Sequence, residues 1–199
     1  FITIISLFCI FKIIGLKNAS SLGSILGRLI GPFFRSKNII KENLKNGLGE
    51  INKKKENEII NGMWSNIGRT FAEYPFLKDF RFNKTNFDHI KINGINHLEE
   101  IKKNNETAIF YSCHFANFEL MAMEIDKFGL KCAAIYRPLN NFFLNPLMEY
   151  LRMKYICPNQ IPKGRMGMRE IINKIKDGYS IALMVDQRVS EGHKIPFFN

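Results

Sequence analysis

The chain has 199 residues, of which 46% are hydrophobic and 13% aromatic. This composition suits one folded domain with a sizeable core and excludes an intrinsically disordered chain. The formal net charge of +11 favours anionic partners such as nucleic acid, anionic lipid head groups or acidic carrier proteins. The sequence has neither a glycine-rich phosphate loop nor a zinc-type spacing of cysteine and histidine. A nucleotide or zinc enzyme is therefore disfavoured, and we expect no metal or cofactor.

The amino terminus is the most apolar part of the chain. Residues 1–16 are interrupted only by Lys12, and residues 19–35 are rich in small and apolar side chains. A membrane-spanning helix needs about 20 apolar residues, so the first run suits part of such a helix, a signal-peptide core, an interfacial helix or a buried helix. Basic residues follow it, which would keep the later chain on the cytoplasmic side of a membrane. We expect an uncleaved, helical membrane-anchoring region over residues 1–35.

The remaining residues, 36–199, first show a helical pattern. Apolar residues at helical spacing predict a helix from Glu56 to Phe80, which Pro75 ends or kinks. The NKKK run at 52–55 just before it is predicted to be a solvated turn.

From residue 86 onward the pattern alternates between strands and helices. Strands are predicted at 88–92, 107–113, 131–136 and 180–185, and helices at 98–103, 118–128, 142–154 and 166–176. Apolar strands separated by helices predict an α/β fold with a mainly parallel or mixed sheet covered by helices on both faces.

His114 and Glu119 are the most informative pair of residues. His114 follows the strand predicted at 107–113, and functional sites in open α/β sheets collect at the carboxyl ends of strands. Asn117 is a plausible N-cap of the next helix, which would place Glu119 in the first turn, where the helix dipole favours an anion. The Glu119 carboxylate would then accept a hydrogen bond from the protonated ring nitrogen of His114, whose other nitrogen could take a proton from an alcohol. The spacing alone also fits a core histidine and an exposed helix glutamate.

Other charged residues follow the core strands or begin a helix. Arg137 and Asp186 end the strands at 131–136 and 180–185, so they share a sheet edge with His114. Arg137 suits an oxyanion or a phosphate, or a surface ion pair. Asp186 suits a pairing with Arg137, a contact to substrate, or a turn cap. A basic group that suits phosphates, or equally a solvated surface, comprises Lys163, Arg165 and Arg169.

Several short motifs occur together in a defined order. They are Asn43-Leu44, GRTFAE at 68–73, CHFANFEL at 113–120, YRPLNN at 136–141, IPKG at 161–164, GYSIALMVDQ at 178–187 and PFF at 196–198. In this order they resemble the lipid A biosynthesis late acyltransferase family, the lauroyl and myristoyl acyltransferases. Cys113 stands where the family usually has glycine, and Asn199 where the last motif has glycine. Because the family continues beyond this point and the chain starts without Met, we expect an amino-terminal fragment, with the acyltransferase domain truncated at its carboxy-terminal end.

The resemblance implies a glycerolipid acyltransferase-like fold and an O-acyltransferase of lipopolysaccharide biosynthesis. The enzyme would move an acyl group from acyl carrier protein to a hydroxyl of a lipid A precursor, at the cytoplasmic face of the inner membrane and without a cofactor or nucleic acid. His114 would deprotonate the hydroxyl, and Glu119 would orient His114. The residues expected to bind substrate are Arg137, Asn117, Lys163, Arg169 and Asp186.

The sequence is also compatible with three other functions. A glycerolipid acyltransferase uses the same histidine and acidic spacing. A non-catalytic basic protein that binds membrane or nucleic acid would also carry this charge, and a truncated acyltransferase could be an inactive remnant.

Overall fold

The computed structural model describes residues 1–84 and 90–187. The first part is helical, with elements α1 (Ile2–Ile14), α2 (Leu16–Ile30), a 3₁₀ turn (Gly31–Phe33), α3 (Lys37–Leu48), α4 (Lys53–Glu73), a second 3₁₀ turn (Tyr74–Phe76) and α5 (Leu77–Arg81). The second part alternates as α6 (Ile95–Lys103), β1 (Ile109–Ser112), α7 (Glu119–Lys127), β2 (Cys132–Tyr136), α8 (Leu144–Tyr155), β3 (Asn159–Pro162), α9 (Arg165–Lys176) and β4 (Ser180–Met184).

The four strands form one parallel sheet in the order β1-β4-β2-β3. Side chains alternate between its two faces. Ala182 belongs to the large core shared with α1, α5, α7 and α8, whereas its neighbour Ile181 packs with Ile161 against α9. The predicted α/β fold is therefore confirmed, with a parallel sheet and helices on both faces.

Helices α2 and α4 approach backbone to backbone. A Cβ atom on Gly68 of α4 would lie 2.0 Å from the carbonyl oxygen of Gly23, and one on Gly27 would lie 2.2 Å from the carbonyl oxygen of Trp64. No side chain larger than hydrogen fits at these positions. Gly23 and Gly27, within the small-residue stretch 19–35, therefore allow α2 to pack closely against α4.

The start of α4 corrects one prediction. The NKKK run is a helix start rather than a turn, because Oδ1 of Asn52 accepts a hydrogen bond from the amide of Lys55 at 2.9 Å and caps the helix. The predicted break at Pro75 is confirmed, since α4 ends at Glu73 and a 3₁₀ turn follows. Helix α3 was not predicted, because its sequence is polar and lysine-rich.

The strand predictions need three corrections. No strand was predicted at Asn159–Pro162, where β3 lies. Among the described residues β1 is an edge strand, with Tyr111 73% exposed, and not a fully buried one. Residues 90–92 form no strand. Residues 88–89 of that predicted strand, and the PFF motif at 196–198, lie outside the described residues.

The amino-terminal helices share the main core. Phe8 and Phe11 of α1 are buried in the same cluster as Met123 of α7, while Ile2 and Ile13 point outward, 79% and 83% exposed. Within the described ranges, no helix combines the length and apolar character that crossing a bilayer requires. The membrane-anchoring role of residues 1–35, and a domain boundary at residue 35, remain predictions.

Candidate active site

A cavity of about 630 Å³ opens at the carboxyl ends of the central strands. His114, Glu119, Arg137 and Lys163 all line it, so four of the seven predicted site residues meet there. Its apolar lining comes from the sheet, from α7 and from the end of α8, and includes Met121, Ala122, Ala134, Ile156, Ala182 and Leu183. The cavity therefore combines a histidine, a carboxylate, three cations (Arg137, Arg152 and Lys163) and an apolar interior.

His114 is held by the two residues that follow β4. Nδ1 of His114 lies 2.6 Å from Oδ1 of Asp186, and the His114 backbone amide donates to Oδ2 of Asp186 at 2.8 Å. The side-chain amide nitrogen of Gln187 lies 3.1 Å from Nε2 of His114. A carboxylate at Nδ1 and a donor at Nε2 select the neutral tautomer with its proton on Nδ1.

The surroundings of Asp186 keep its carboxylate negatively charged, as a hydrogen-bond acceptor for the His114 ring requires. Partial burial by itself raises the pKa of Asp186, but the hydrogen bonds from the backbone and ring of His114 and the attraction of that ring lower it. The net pKa lies below the ordinary value, so Asp186 stays ionised at neutral pH. A pairing with Arg137 was one of three roles considered for Asp186, and the partner that the structure gives it is His114.

Glu119 has different partners from the one predicted. Its Oε1 accepts hydrogen bonds from Nε and a terminal nitrogen of Arg152, at 3.0 and 2.5 Å, and from the hydroxyl of Tyr74. The side chain is 8% exposed, and the position at His114 Nδ1 that we assigned to Glu119 is occupied by Asp186. Glu119 lies in the first turn of α7, as predicted, but among the described residues it forms a buried pair with Arg152 on α8.

Burial and the contacts within this cluster change the pKa values of Tyr74 and Arg152. Burial raises the pKa of Tyr74 well above its ordinary value, and the nearby Glu119 carboxylate raises it further. Burial lowers the pKa of Arg152, but Glu119 and Tyr74 more than offset this, and the net shift is upward. Arg152 is therefore a fixed cation in the cavity lining.

The loop after His114 is held by one face of α4. Ala116 adopts a left-handed backbone with φ 44°, and its carbonyl oxygen accepts hydrogen bonds from Thr70 Oγ1 at 2.9 Å and Asn66 Nδ2 at 3.3 Å. Asn117 Nδ2 donates to Oε2 of Glu73 at 2.9 Å. Asn66, Thr70 and Glu73 are spaced by four and three residues, so they lie on one side of the helix. These bonds maintain a backbone conformation that alanine rarely adopts.

Asn117 does not cap α7 as predicted. The helix begins at Glu119 with Phe118 at the N-cap position, and no side-chain cap bond forms. Asn117 lies beside a second cavity, of about 1150 Å³, that also reaches α2 and α4. Its Oδ1 atom is buried and has no hydrogen-bond partner among the described residues. Its role in binding substrate remains a prediction.

The predicted basic group is only partly assembled at the cavity. Lys163 and Arg137 lie side by side because β2 and β3 pair in parallel register and the Lys163 amide donates to the Tyr136 carbonyl oxygen at 2.9 Å. Arg165 and Arg169 lie in α9 and are not among the residues that line this cavity.

Sequence reasoning missed three residues of the site. Gln187 stood within a quoted motif but carried no assigned role. Tyr74 lies in the helix predicted at 56–80 and Arg152 in the one predicted at 142–154, and neither was assigned a role. A cation on a helix gives no local signal for its carboxylate partner 33 positions away.

Comparison with known protein families matches residues 1–199 to the family described as bacterial lipid A biosynthesis acyltransferase. A search of curated proteins found no significant match. The match spans the amino-terminal helices as well as the sheet, and it confirms the resemblance inferred from the ordered motifs.

Proposed function

The chain belongs to the bacterial lipid A biosynthesis acyltransferase family, and we propose that it moves a fatty acyl group from acyl carrier protein to a hydroxyl of a lipid A precursor. Family membership supports an acyltransferase role. We assign the acyl transfer to the His114 cavity on one observation. His114, with Asp186 hydrogen-bonded to its Nδ1, lines a cavity whose interior is apolar.

The proposed reaction uses His114 as the general base. Asp186 accepts a hydrogen bond from Nδ1–H and keeps its negative charge, so Nε2 is free to take a proton from the acceptor hydroxyl once that hydroxyl replaces Gln187 as its partner. The hydroxyl oxygen attacks the thioester carbonyl carbon, a C–O bond forms and the C–S bond breaks. The thiolate then takes the proton from the imidazolium, which Asp186 stabilises. General base catalysis of this kind contributes roughly 10²–10⁴-fold.

The negative charge that develops on the carbonyl oxygen needs donors. The backbone amides of Ala116 and Asn117 come two and three residues after His114, and neither donates a hydrogen bond to a described residue. The bonds from α4 to Ala116 and Asn117 fix the orientation of this backbone. We assign these amides, with Arg137 at the cavity edge, to stabilising the oxyanion.

The cavity lining also suits the two substrates. Met121, Ala134 and Leu183 offer an apolar surface to an acyl chain. Arg137 and Lys163 offer charge to phosphate groups of the lipid acceptor or the carrier. Glu119 acts in this proposal through Arg152, whose position it fixes, rather than through His114.

We further propose that residues 1–35 hold the protein on the cytoplasmic face of the inner membrane. Apolar side chains of α1, α2, the first 3₁₀ turn and the residue after it face outward, and they include Ile2, Ile13, Leu29, Phe33 and Phe34. Arg28, Arg35 and Lys37 flank them. Apolar side chains beside cations favour binding to an anionic lipid surface.

The direct test is a transfer assay with purified protein. The protein is incubated with acyl-acyl carrier protein and a lipid A precursor, and the product is analysed by mass spectrometry. We expect the precursor to gain the mass of one acyl group, and acyl-coenzyme A to be a poorer donor. A glycerol phosphate acceptor is tested in parallel. Acylation of that acceptor alone would instead establish a glycerolipid acyltransferase.

A further inference from the structure

The segment 139–143 exposes two aromatic rings beside the His114 cavity. Phe142 is 83% and Phe143 is 67% exposed, and their rings stand edge to face with centroids 5.5 Å apart. Two adjacent, exposed phenylalanine side chains form an apolar protrusion, and exposed apolar surface of this kind marks a surface of interaction.

The backbone of this segment is fixed although its rings face outward. Oδ1 of Asn141 accepts hydrogen bonds from the amides of Phe143 and Leu144, at 3.1 and 3.0 Å. Oδ1 of Asn145 accepts one from the amide of Leu139 at 2.6 Å. The protrusion is thus an ordered turn at the start of α8 that presents the rings away from the core.

The protrusion is continuous with two other features. Leu139 and Asn140 line the His114 cavity, so the segment forms part of its rim. The Phe143 ring lies 6.2 Å from that of Phe1, at the start of α1. The outward apolar surface of α1 therefore continues through the aromatic pair to the edge of the cavity.

We propose that the segment 139–143 inserts Phe142 and Phe143 into the surface of an anionic lipid bilayer and so places the cavity mouth against the lipid. Phenylalanine side chains of interfacial segments bury into the boundary between head groups and acyl chains, and Arg137 and Lys163 in the cavity lining would meet the head-group phosphates. A lipid acceptor would then enter the cavity without crossing bulk water. This consequence rests on the acyl transfer proposed above, but contact with lipid does not.

Tryptophan fluorescence can test the contact. The chain has one tryptophan, Trp64, which is 7% exposed and serves as a buried reference. Phe142→Trp adds a reporter on the protrusion. Ile172→Trp adds one at a position that is 51% exposed on α9, on the other face of the sheet. Each variant is mixed with phosphatidylglycerol–phosphatidylcholine vesicles that carry bromine on their acyl chains.

We expect the bromine to quench the added fluorescence of Phe142→Trp several-fold more than that of Ile172→Trp, and Trp64 alone to change little. Equal quenching in the two variants would overturn the proposal. An emission change in Phe142→Trp with acyl carrier protein, but none with vesicles, would also overturn it and assign the protrusion to a protein partner.

Activity measurements separate this proposal from the proposed function. In Phe142→Ser/Phe143→Ser, acyl transfer to a vesicle-embedded acceptor should fall several-fold, while transfer to a detergent-dispersed acceptor and the melting temperature should be unchanged. Quenching of Phe142→Trp in a protein that transfers no acyl group would refute the proposed function alone. Normal transfer from vesicles in the double variant, with no quenching, would refute the membrane contact alone.

Discussion

Asp186 holds His114 at two points, with Oδ1 2.6 Å from Nδ1 and Oδ2 2.8 Å from the His114 backbone nitrogen. The pairing follows from strand register. Ser112 of β1 lies opposite Met184 of β4, and His114 and Asp186 each come two residues later. Adjacent parallel strands thus bring together two residues that are 72 positions apart, and they do so at the carboxyl edge where sites of α/β sheets form.

Replacing Asp186 should impair turnover rather than binding. Asp186→Asn places a possible donor at Nδ1 and removes the charge that stabilises the imidazolium, so we expect kcat to fall on the order of 10²–10⁴-fold with KM nearly unchanged. Steady-state acyl transfer measures both constants. Asp177→Asn, an exposed aspartate before β4, is the matched control and should behave like the unmodified protein. A kcat for Asp186→Asn close to that of this control would contradict the pairing.

The sequence predicted the histidine of the site but not its partner. His114 follows an apolar strand, and this local pattern is visible without a structure. The choice between Glu119 and Asp186 depends on the strand order β1-β4-β2-β3, which no local pattern encodes. Glu119 was predicted as the partner of His114 because it is only five residues away along the chain. In the folded protein its carboxylate instead accepts hydrogen bonds from Arg152.

Other differences have equally physical causes. Strand β3 was missed because Asn159, Gln160 and Pro162 give it no apolar run, and it forms only through pairing with β2. The stretch at 19–35 was predicted to suit a helix on or in a membrane. Its glycines pack against α4, while Leu29, Phe33 and Phe34 face outward, so contact with lipid remains a prediction. Periodicity was sufficient for most helices, because amphipathic faces repeat locally.

The Glu119–Arg152 pair should be a stability determinant. Glu119→Gln leaves the Arg152 charge buried without a carboxylate, and breaking a buried pair in this way typically costs about 3–5 kcal/mol. Glu119→Leu/Arg152→Met removes both charges and should be less destabilised than the single variant. Chemical unfolding in detergent measures the free energy of unfolding of each protein.

An exposed pair provides the reference for this comparison. Lys45 and Glu50 lie 2.9 Å apart with side chains 68% and 86% exposed, so Glu50→Gln should change stability by no more than about 1 kcal/mol. A Glu119→Gln variant as stable as Glu50→Gln would show that the buried pair contributes little.

Thr70 should support the loop that carries the proposed oxyanion donors. Thr70→Val keeps the shape of the side chain but removes the hydrogen bond to the Ala116 carbonyl, a contact that contributes about 0.5–1.5 kcal/mol. We expect a lower kcat, an unchanged KM and faster amide exchange across residues 114–118, measured by hydrogen-exchange mass spectrometry. Thr70→Ser should restore all three.

A second residue of α4 controls for general helix damage in that experiment. Ser65 Oγ lies 2.7 Å from Ser24 Oγ, between α4 and α2, so Ser65→Ala removes a hydrogen bond away from the loop. If Thr70→Val and Ser65→Ala change loop exchange and kcat equally, α4 does not act through the Ala116 carbonyl.

Two glycines of α4 should respond in opposite directions to alanine. At Gly68 a new Cβ would lie 2.0 Å from the Gly23 carbonyl oxygen, whereas at Gly62 nothing lies within 4 Å. Gly68→Ala should therefore destabilise the protein by about 1–3 kcal/mol or more through overpacking. Gly62→Ala should stabilise it by about 0.5–1 kcal/mol by restricting the unfolded chain. Thermal melting compares them, and equal shifts would contradict the close α2–α4 contact.

The central claim is that His114 is the base of an acyl transfer. Its most direct test is the rate at which His114→Ala moves an acyl group from acyl-acyl carrier protein to the lipid A precursor, at saturating substrate and with the melting temperature checked. We expect a rate lower by roughly 10²–10⁴-fold in a protein that melts like the unmodified one. A His114→Ala variant that folds normally and turns over within a few-fold of the unmodified protein would contradict it.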